Sequence, residues 1–131
     1  MATDEQADGV FDVAVLLAKY GIDNNSESAL RSAVSRGYYS VFLAAHRRSG
    51  CNDSNELHSK VIQACNKALG HMRTDRLRWM RELRVAADYF IDAKPLSNAD
   101  LANDLSDWNE NWKYIELWAP ILREHLKRWK P

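Results

Sequence analysis

The chain has 131 residues, of which 46% are hydrophobic and 27% charged, and its 18 basic and 18 acidic side chains give a formal net charge of zero. This balance excludes an intrinsically disordered chain and gives no global attraction to nucleic acid or to anionic membranes. No apolar run approaches the ~18 residues that span a bilayer, and Cys51 and Cys65 form no close metal-binding pair. We therefore expect one soluble cytoplasmic domain, residues 1–131, with two free thiols.

The first two predicted helices follow from apolar spacing. One covers about residues 7–20, and Gly21 is interpreted as its stop. The next covers about residues 27–48 after a serine N-cap, and its apolar face is built largely of small residues. This face includes Gly37, although glycine inside a helix costs about 1 kcal/mol relative to alanine. Gly37 therefore predicts a close approach by another backbone, either within the fold or across a dimer interface.

A third helix is predicted over residues 55–69, with Gly70 as its C-terminal signal. A fourth is predicted over residues 74–92, with Thr74 as the N-cap and Pro95 as the terminator. Residues 73–84 carry five arginines and two acids, so the neutral total conceals a locally basic segment.

The last helical segment begins at Ser97 and repeats its apolar residues in steps of four and three. The members of this seam are Leu101, Leu105, Trp108, Trp112, Ile115, Ala119, Leu122, Leu126 and Trp129. The seam predicts a core stripe of an intramolecular bundle or a coiled-coil dimer, and its bulky tryptophans favour the bundle. Pro120 interrupts the hydrogen bonding but not the spacing, which predicts a kinked helix or two nearly collinear ones. Trp118 lies off the seam and, like Gly37, is a candidate partner contact.

These elements predict an all-α, antiparallel bundle of about five helices with a long kinked C-terminal helix. The sequence contains no Gly-rich phosphate loop, no His-Glu-x-x-His and no Gly-x-Ser-x-Gly elbow. We therefore expect no metal and no cofactor.

Two stretches resemble a known family. Residues 31–42 read Arg-Ser-Ala-Val-Ser-Arg-Gly-Tyr-Tyr-Ser-Val-Phe, and residues 83–89 read Leu-Arg-Val-Ala-Ala-Asp-Tyr. The first resembles the Arg-x-Tyr-Tyr-x-x-Phe helix of HEPN domains (higher eukaryotes and prokaryotes nucleotide-binding). The second resembles a later HEPN helix in which many members carry Leu-Arg followed by Ala-Asp-Tyr. His58 and Val61 also fit the family's helix order, and the resemblance spans about residues 27–92.

The resemblance implies an antiparallel helical bundle, usually dimeric, of prokaryotic toxin–antitoxin, antiviral defence or RNA-processing systems. Many HEPN members are metal-independent ribonucleases with an Arg-x(4–6)-His motif, in which histidine is the general acid–base and arginine stabilises the developing negative charge. No arginine of this chain has a histidine five to seven positions later. Tyr89 stands where the resemblance places the histidine, and a tyrosine with a pKa near ~10 is a poor acid–base group at neutral pH. The chain therefore resembles a HEPN member that lacks the standard ribonuclease motif.

The fourth predicted helix places Arg81, Arg84 and Asp88 on one face. We interpret this face either as a contact for RNA or nucleotide, with tyrosines available for base stacking, or as an intrahelical Arg84–Asp88 pair. Arg36 and Tyr39 lie on the less apolar side of the second helix, so we expect them to face the same cleft.

Three functions follow as hypotheses. The first is a HEPN-like binding or regulatory module that self-associates or joins an antitoxin or defence subunit and binds RNA or nucleotide. The second is a ribonuclease toxin with a non-standard site built from Arg84, Tyr89 and Arg36, with His58 as a further candidate. The third is a structural scaffold that docks through its Trp-rich last helix.

Overall fold

The computed structural model describes residues 3–52, 55–89 and 107–130 of the chain. Five helices lie in these ranges and no strand does, which confirms the predicted all-α bundle. The helices are α1 (Asp4–Asp23), α2 (Glu27–Ser49), α3 (Leu57–Ala64), α4 (Asn66–Tyr89) and α5 (Trp108–Lys127).

The helix α2 is the centre of the bundle and packs against the other four helices. It begins at an N-cap, Ser26, whose hydroxyl accepts the Ala29 N–H at 3.3 Å, and it ends at Gly50 in the left-handed conformation. Both ends follow standard capping chemistry, because a serine oxygen satisfies a free first-turn N–H and glycine tolerates a positive φ. The predicted limits of this helix are therefore confirmed to within one residue at its C-terminus.

Three predicted boundaries were wrong. Gly21 does not stop α1, which continues to Asp23; it lies inside the helix, where an added Cβ would be 2.8 Å from Leu30 Cγ. The third segment is interrupted at Cys65, which ends α3 before α4 begins. Gly70 does interrupt the helix, with φ 77°, but Thr74 lies beyond this kink within α4.

The helix α5 places the 4-3 seam in the core of its own chain. Trp108, Trp112, Ile115, Ala119, Leu122 and Leu126 are buried, and Trp129 is partly buried. The intramolecular interpretation of this seam is therefore confirmed for these residues, whereas Leu101 and Leu105 lie outside the described residues. The helix passes through Pro120 as one element, and Pro120 itself is exposed.

The close approach expected at Gly37 lies within the fold, but it is made by side chains of α5 and not, as predicted, by another backbone. An added Cβ at this position would be 2.2 Å from Ile115 Cγ2 and 3.6 Å from the Trp112 ring. Because Gly37 has no side chain, Ile115 of the last helix can pack directly on the backbone of the central one.

Both cysteines are free thiols, with Cys65 buried and Cys51 partly buried. None of the described helices combines the length and apolar character needed to cross a membrane.

Candidate functional site

Polar and aromatic side chains from α2, α3 and α4 meet on one side of the bundle. The central helix contributes Tyr39, α3 contributes His58, and α4 contributes Arg81, Arg84 and Asp88. We call these five residues the arginine–tyrosine cleft. Two arginines and one carboxylate give the cleft an excess of positive charge at neutral pH.

His58 is held in the cleft by aromatic rings of α2. Its ring stacks on Phe42, with centroids 4.1 Å apart and planes 14° from parallel, and its Nδ1 is 2.7 Å from the hydroxyl of Tyr38. Tyr38 is fully buried. Because these contacts fix the ring and occupy Nδ1, the second ring nitrogen, Nε2, is the atom left to meet a ligand; no described residue hydrogen-bonds to it.

The environment of His58 favours the neutral imidazole. Burial, followed by the positive charges of Arg81 and Arg84, lowers the pKa of His58 from 6.5 to about 4. Burial also raises the pKa of Tyr38 well above its ordinary value, so the hydroxyl stays protonated. At neutral pH this pair offers hydrogen bonding rather than ready proton transfer.

Arg84 joins α4 to the tyrosines. Its Nη2 donates to the hydroxyl of Tyr39, and its guanidinium carbon lies 4.9 Å from the Tyr39 ring centroid and 5.7 Å from that of Tyr89. Its Nε is 3.2 Å from Asp88 Oδ2, and Asp88 in turn accepts a hydrogen bond from Ser35 Oγ at 3.1 Å. The guanidinium is therefore positioned by a carboxylate on one side and by aromatic rings on the other.

Arg81 extends the cleft toward α3. Its Nη1 donates to Ser59 Oγ at 3.0 Å, and its buried Nε has no hydrogen-bond acceptor among the described residues. Beside it lies a groove of about 310 Å³ lined by Ser59, Ile62, Gln63, Arg78, Arg81 and Glu82. A guanidinium that lines an open groove is suited to bind an anion such as phosphate.

The structure brings most of the predicted site residues together. Tyr39, Arg81, Arg84 and Asp88 share the cleft with His58, while Tyr89 lies at its margin with 68% of its surface exposed. The intrahelical Arg84–Asp88 pair exists, and Arg84 contacts Tyr39 in the same site. The pair therefore does not exclude the other interpretation of this face, a contact for RNA or nucleotide.

The remaining predicted residues make no hydrogen bond, ion pair or ring contact with the cleft in the part of the chain that the structure describes. Arg36 is exposed on α2, with no ion pair to a described residue, and Gly37 is buried against α5. Trp118 is partly buried, with the guanidinium carbon of Arg76 5.1 Å from its ring centroid. A partner contact by Trp118 stays a prediction.

Two serines of the site were not identified from the sequence. Ser35 precedes Tyr39 by one helical turn, which is a signal that both face the same way. Ser59 has no such signal, because only the packing of α3 on α4 brings it to Arg81.

The arrangement can bind a phosphate through arginine N–H groups, stack a base on an exposed tyrosine ring, and donate or accept a hydrogen bond at His58. No family model, curated protein or solved structure matches this chain. The HEPN resemblance therefore remains a prediction carried by residues 27–92, and the cleft is the firmest basis for a functional proposal.

Proposed function

We propose that this chain is a HEPN-like binding or regulatory module that holds RNA or a nucleotide in the arginine–tyrosine cleft. The observation that carries the proposal is a pair of arginines one helical turn apart on α4, of which Arg84 lies against the ring of Tyr39 and Arg81 lines a groove. Cationic groups beside aromatic rings are the combination that single-stranded nucleic acids require.

The chemistry of His58 supports binding over cleavage. An efficient general base has a pKa near the working pH, whereas the pKa of His58 is about 4 and its Nδ1 is occupied by Tyr38. RNA cleavage is therefore the alternative that the experiment below tests.

The scaffold hypothesis finds less support. Trp108 and Trp112 are buried within the subunit, so surface for another chain is left at Trp118 of α5 and at Trp129, which follows that helix. We place the module in a prokaryotic toxin–antitoxin or antiviral defence system, as the resemblance implies, where it self-associates or joins a defence subunit.

The test is a binding titration with a fluorescent single-stranded RNA and, separately, with ATP. We expect Arg84→Ala and Arg81→Ala each to weaken binding about tenfold and to lower the salt dependence of RNA binding by about one counterion. Lys113→Ala is the matched control, because Lys113 is an exposed cation on α5 that pairs with Glu110. The control is expected to leave the affinity within about twofold.

Circular dichroism melting of each variant separates lost binding from lost fold. Wild-type protein that binds neither RNA nor ATP, or folded Arg81 and Arg84 variants that bind as tightly as the wild type, would refute the proposal. Gel analysis of the same RNA decides the alternative, since cleavage by wild type but not by Arg84→Ala would establish a ribonuclease.

A further inference from the structure

The helix α1 carries an unusual share of exposed apolar surface. Of the nine exposed large apolar side chains among the described residues, five lie on this helix: Val13, Val15, Leu16, Tyr20 and Ile22. An exposed apolar surface of this kind on a folded domain is typical of a contact with another molecule.

Three of these side chains form one continuous stripe. Val13, Leu16 and Tyr20 are 45%, 68% and 59% exposed, and their spacing places them within about 60° of one another around the helix axis. Gly9 extends the stripe by one turn, and the space around its Cα is open. We call Gly9, Val13, Leu16 and Tyr20 the α1 stripe, and its 4-3-4 spacing is that of a helix-pairing seam.

The charges beside the α1 stripe indicate what covers it. Asp12 and Lys19 are seven residues apart, so both lie on the same side of the stripe, and neither forms an ion pair with a described residue. The other side carries the uncharged Gln6 and Leu17. An antiparallel second copy centred on Leu16 would bring Asp12 opposite Lys19 of that copy, and Lys19 opposite its Asp12. A parallel copy would instead bring this charged side against the uncharged side of the stripe, so that Asp12 and Lys19 would have no charged partner.

We propose that two copies of this chain associate through antiparallel packing of their α1 stripes. Val13 then faces Tyr20 of the second copy, the two Leu16 side chains meet at the twofold axis, and the Asp12–Lys19 pairs flank them. The α1 stripe is then the interface of the self-association in the proposed function, and the dimer does not depend on what the cleft binds. One pair of helices buries less than the ~1,200 Å² of a stable interface, so we expect a dimer that dissociates at low concentration.

The experiment is sedimentation equilibrium at low ionic strength, where charge pairs are least screened. The wild-type mass is expected to rise with concentration from 15.1 kDa toward twice that value. Asp12→Lys and Lys19→Asp are each expected to weaken the homodimer about tenfold, because each brings like charges into opposition. An equimolar mixture of the two variants should form a heterodimer, and the double variant should dimerise like the wild type.

Two further variants complete the test. Leu16→Glu places two carboxylates at the twofold axis and should abolish dimerisation while RNA binding in the cleft is retained. Lys67→Asp reverses the charge of an exposed lysine that lies on α4, away from α1. This variant should leave the dimer unchanged. A wild-type protein that stays monomeric, or a mixture of the two charge variants that fails to associate, overturns the proposal without affecting the proposal for the cleft.

Discussion

At the scale of single residues, the cleft depends on groups held in one protonation state by their neighbours. His58 is neutral because burial and two nearby guanidinium groups oppose a third positive charge. Asp88 Oδ2 lies 3.2 Å from Arg84 Nε, and its negative charge partly offsets the positive charge of the cleft. The cleft is thus organised before any ligand arrives, which lowers the entropy cost of binding.

This environment predicts an acid-sensitive fold. The pKa of His58 is lowered from 6.5 to about 4, so between these values the unfolded chain takes up a proton that the folded chain does not. The stabilisation is complete above pH ~6.5 and is lost as the pH falls toward ~4, by about 1 kcal/mol after allowance for the exposed part of the ring. Urea unfolding at pH 7 and pH 5 measures this difference.

The matched variants are His58→Gln, which should reduce the pH dependence, and His71→Gln, which should not. His71 is a suitable control because its side chain is 85% exposed. Equal pH dependence in wild type and His58→Gln would contradict the assignment.

At the scale of helices, the contact between α2 and α5 determines the position of the cleft. Gly37 lets Ile115 pack directly on the helix backbone, on a part of α2 next to the tyrosines. Tyr38 and Tyr39 follow Gly37 immediately, so a displacement of α5 at this point is transmitted to the residues that hold His58 and Arg84.

Gly37→Ala is therefore expected to destabilise the protein. The added methyl would lie 2.2 Å from Ile115 Cγ2, and the overpacking is expected to lower the free energy of unfolding by about 1–3 kcal/mol, despite the better helix propensity of alanine. Chemical unfolding of Gly37→Ala, Ile115→Ala and the double variant measures the coupling. We expect the double variant to lose less stability than the sum of the single variants, because Ile115→Ala removes the obstructing atom; strict additivity would contradict the close contact.

At the scale of the whole molecule, ion pairs attach the first helix to both α2 and α5. Asp4 pairs with Arg48 at 2.5 Å, and Asp8 accepts hydrogen bonds from Arg123 and Lys127 of α5. Burial alone would raise the pKa of Asp8, but the two cations outweigh it and the pKa is lowered. The apolar face of α1 is thereby held on the bundle while the α1 stripe stays exposed.

Loss of the Asp8 charge is expected to weaken this attachment. Arg123 is only 9% exposed, so Asp8→Asn leaves a buried guanidinium with a weaker partner and should lower the free energy of unfolding by about 1–2 kcal/mol. Glu116→Gln is the control, because it makes the same chemical change at an exposed position of α5. Thermal unfolding in low and high salt provides the measurement, and equal stability of the two variants would show that the Asp8 pairs contribute nothing.

Much of this architecture could be predicted from local patterns. The extent of α2 followed from its periodicity and caps, and the small face around Gly37 predicted a close helix contact. The break at Cys65 could not be predicted, because the apolar residues continue in helical phase through it. Gly21 was misjudged since its partner, Leu30, belongs to the next helix. The contact of Ser35 with Asp88 joins residues 53 positions apart, and only tertiary packing determines such a pairing.

The packing of α5 on Gly37 also has a consequence for the synthesis of the protein. The ribosome releases the central helix before the segment that covers it, because Ile115 and Arg123 lie far beyond Gly37 in the chain. Until then the glycine face of α2 and the Asp8 side chain of α1 lack their partners. We therefore expect this bundle to close only when α5 has left the ribosome, with the nascent chain exposing the glycine face of its central helix until then.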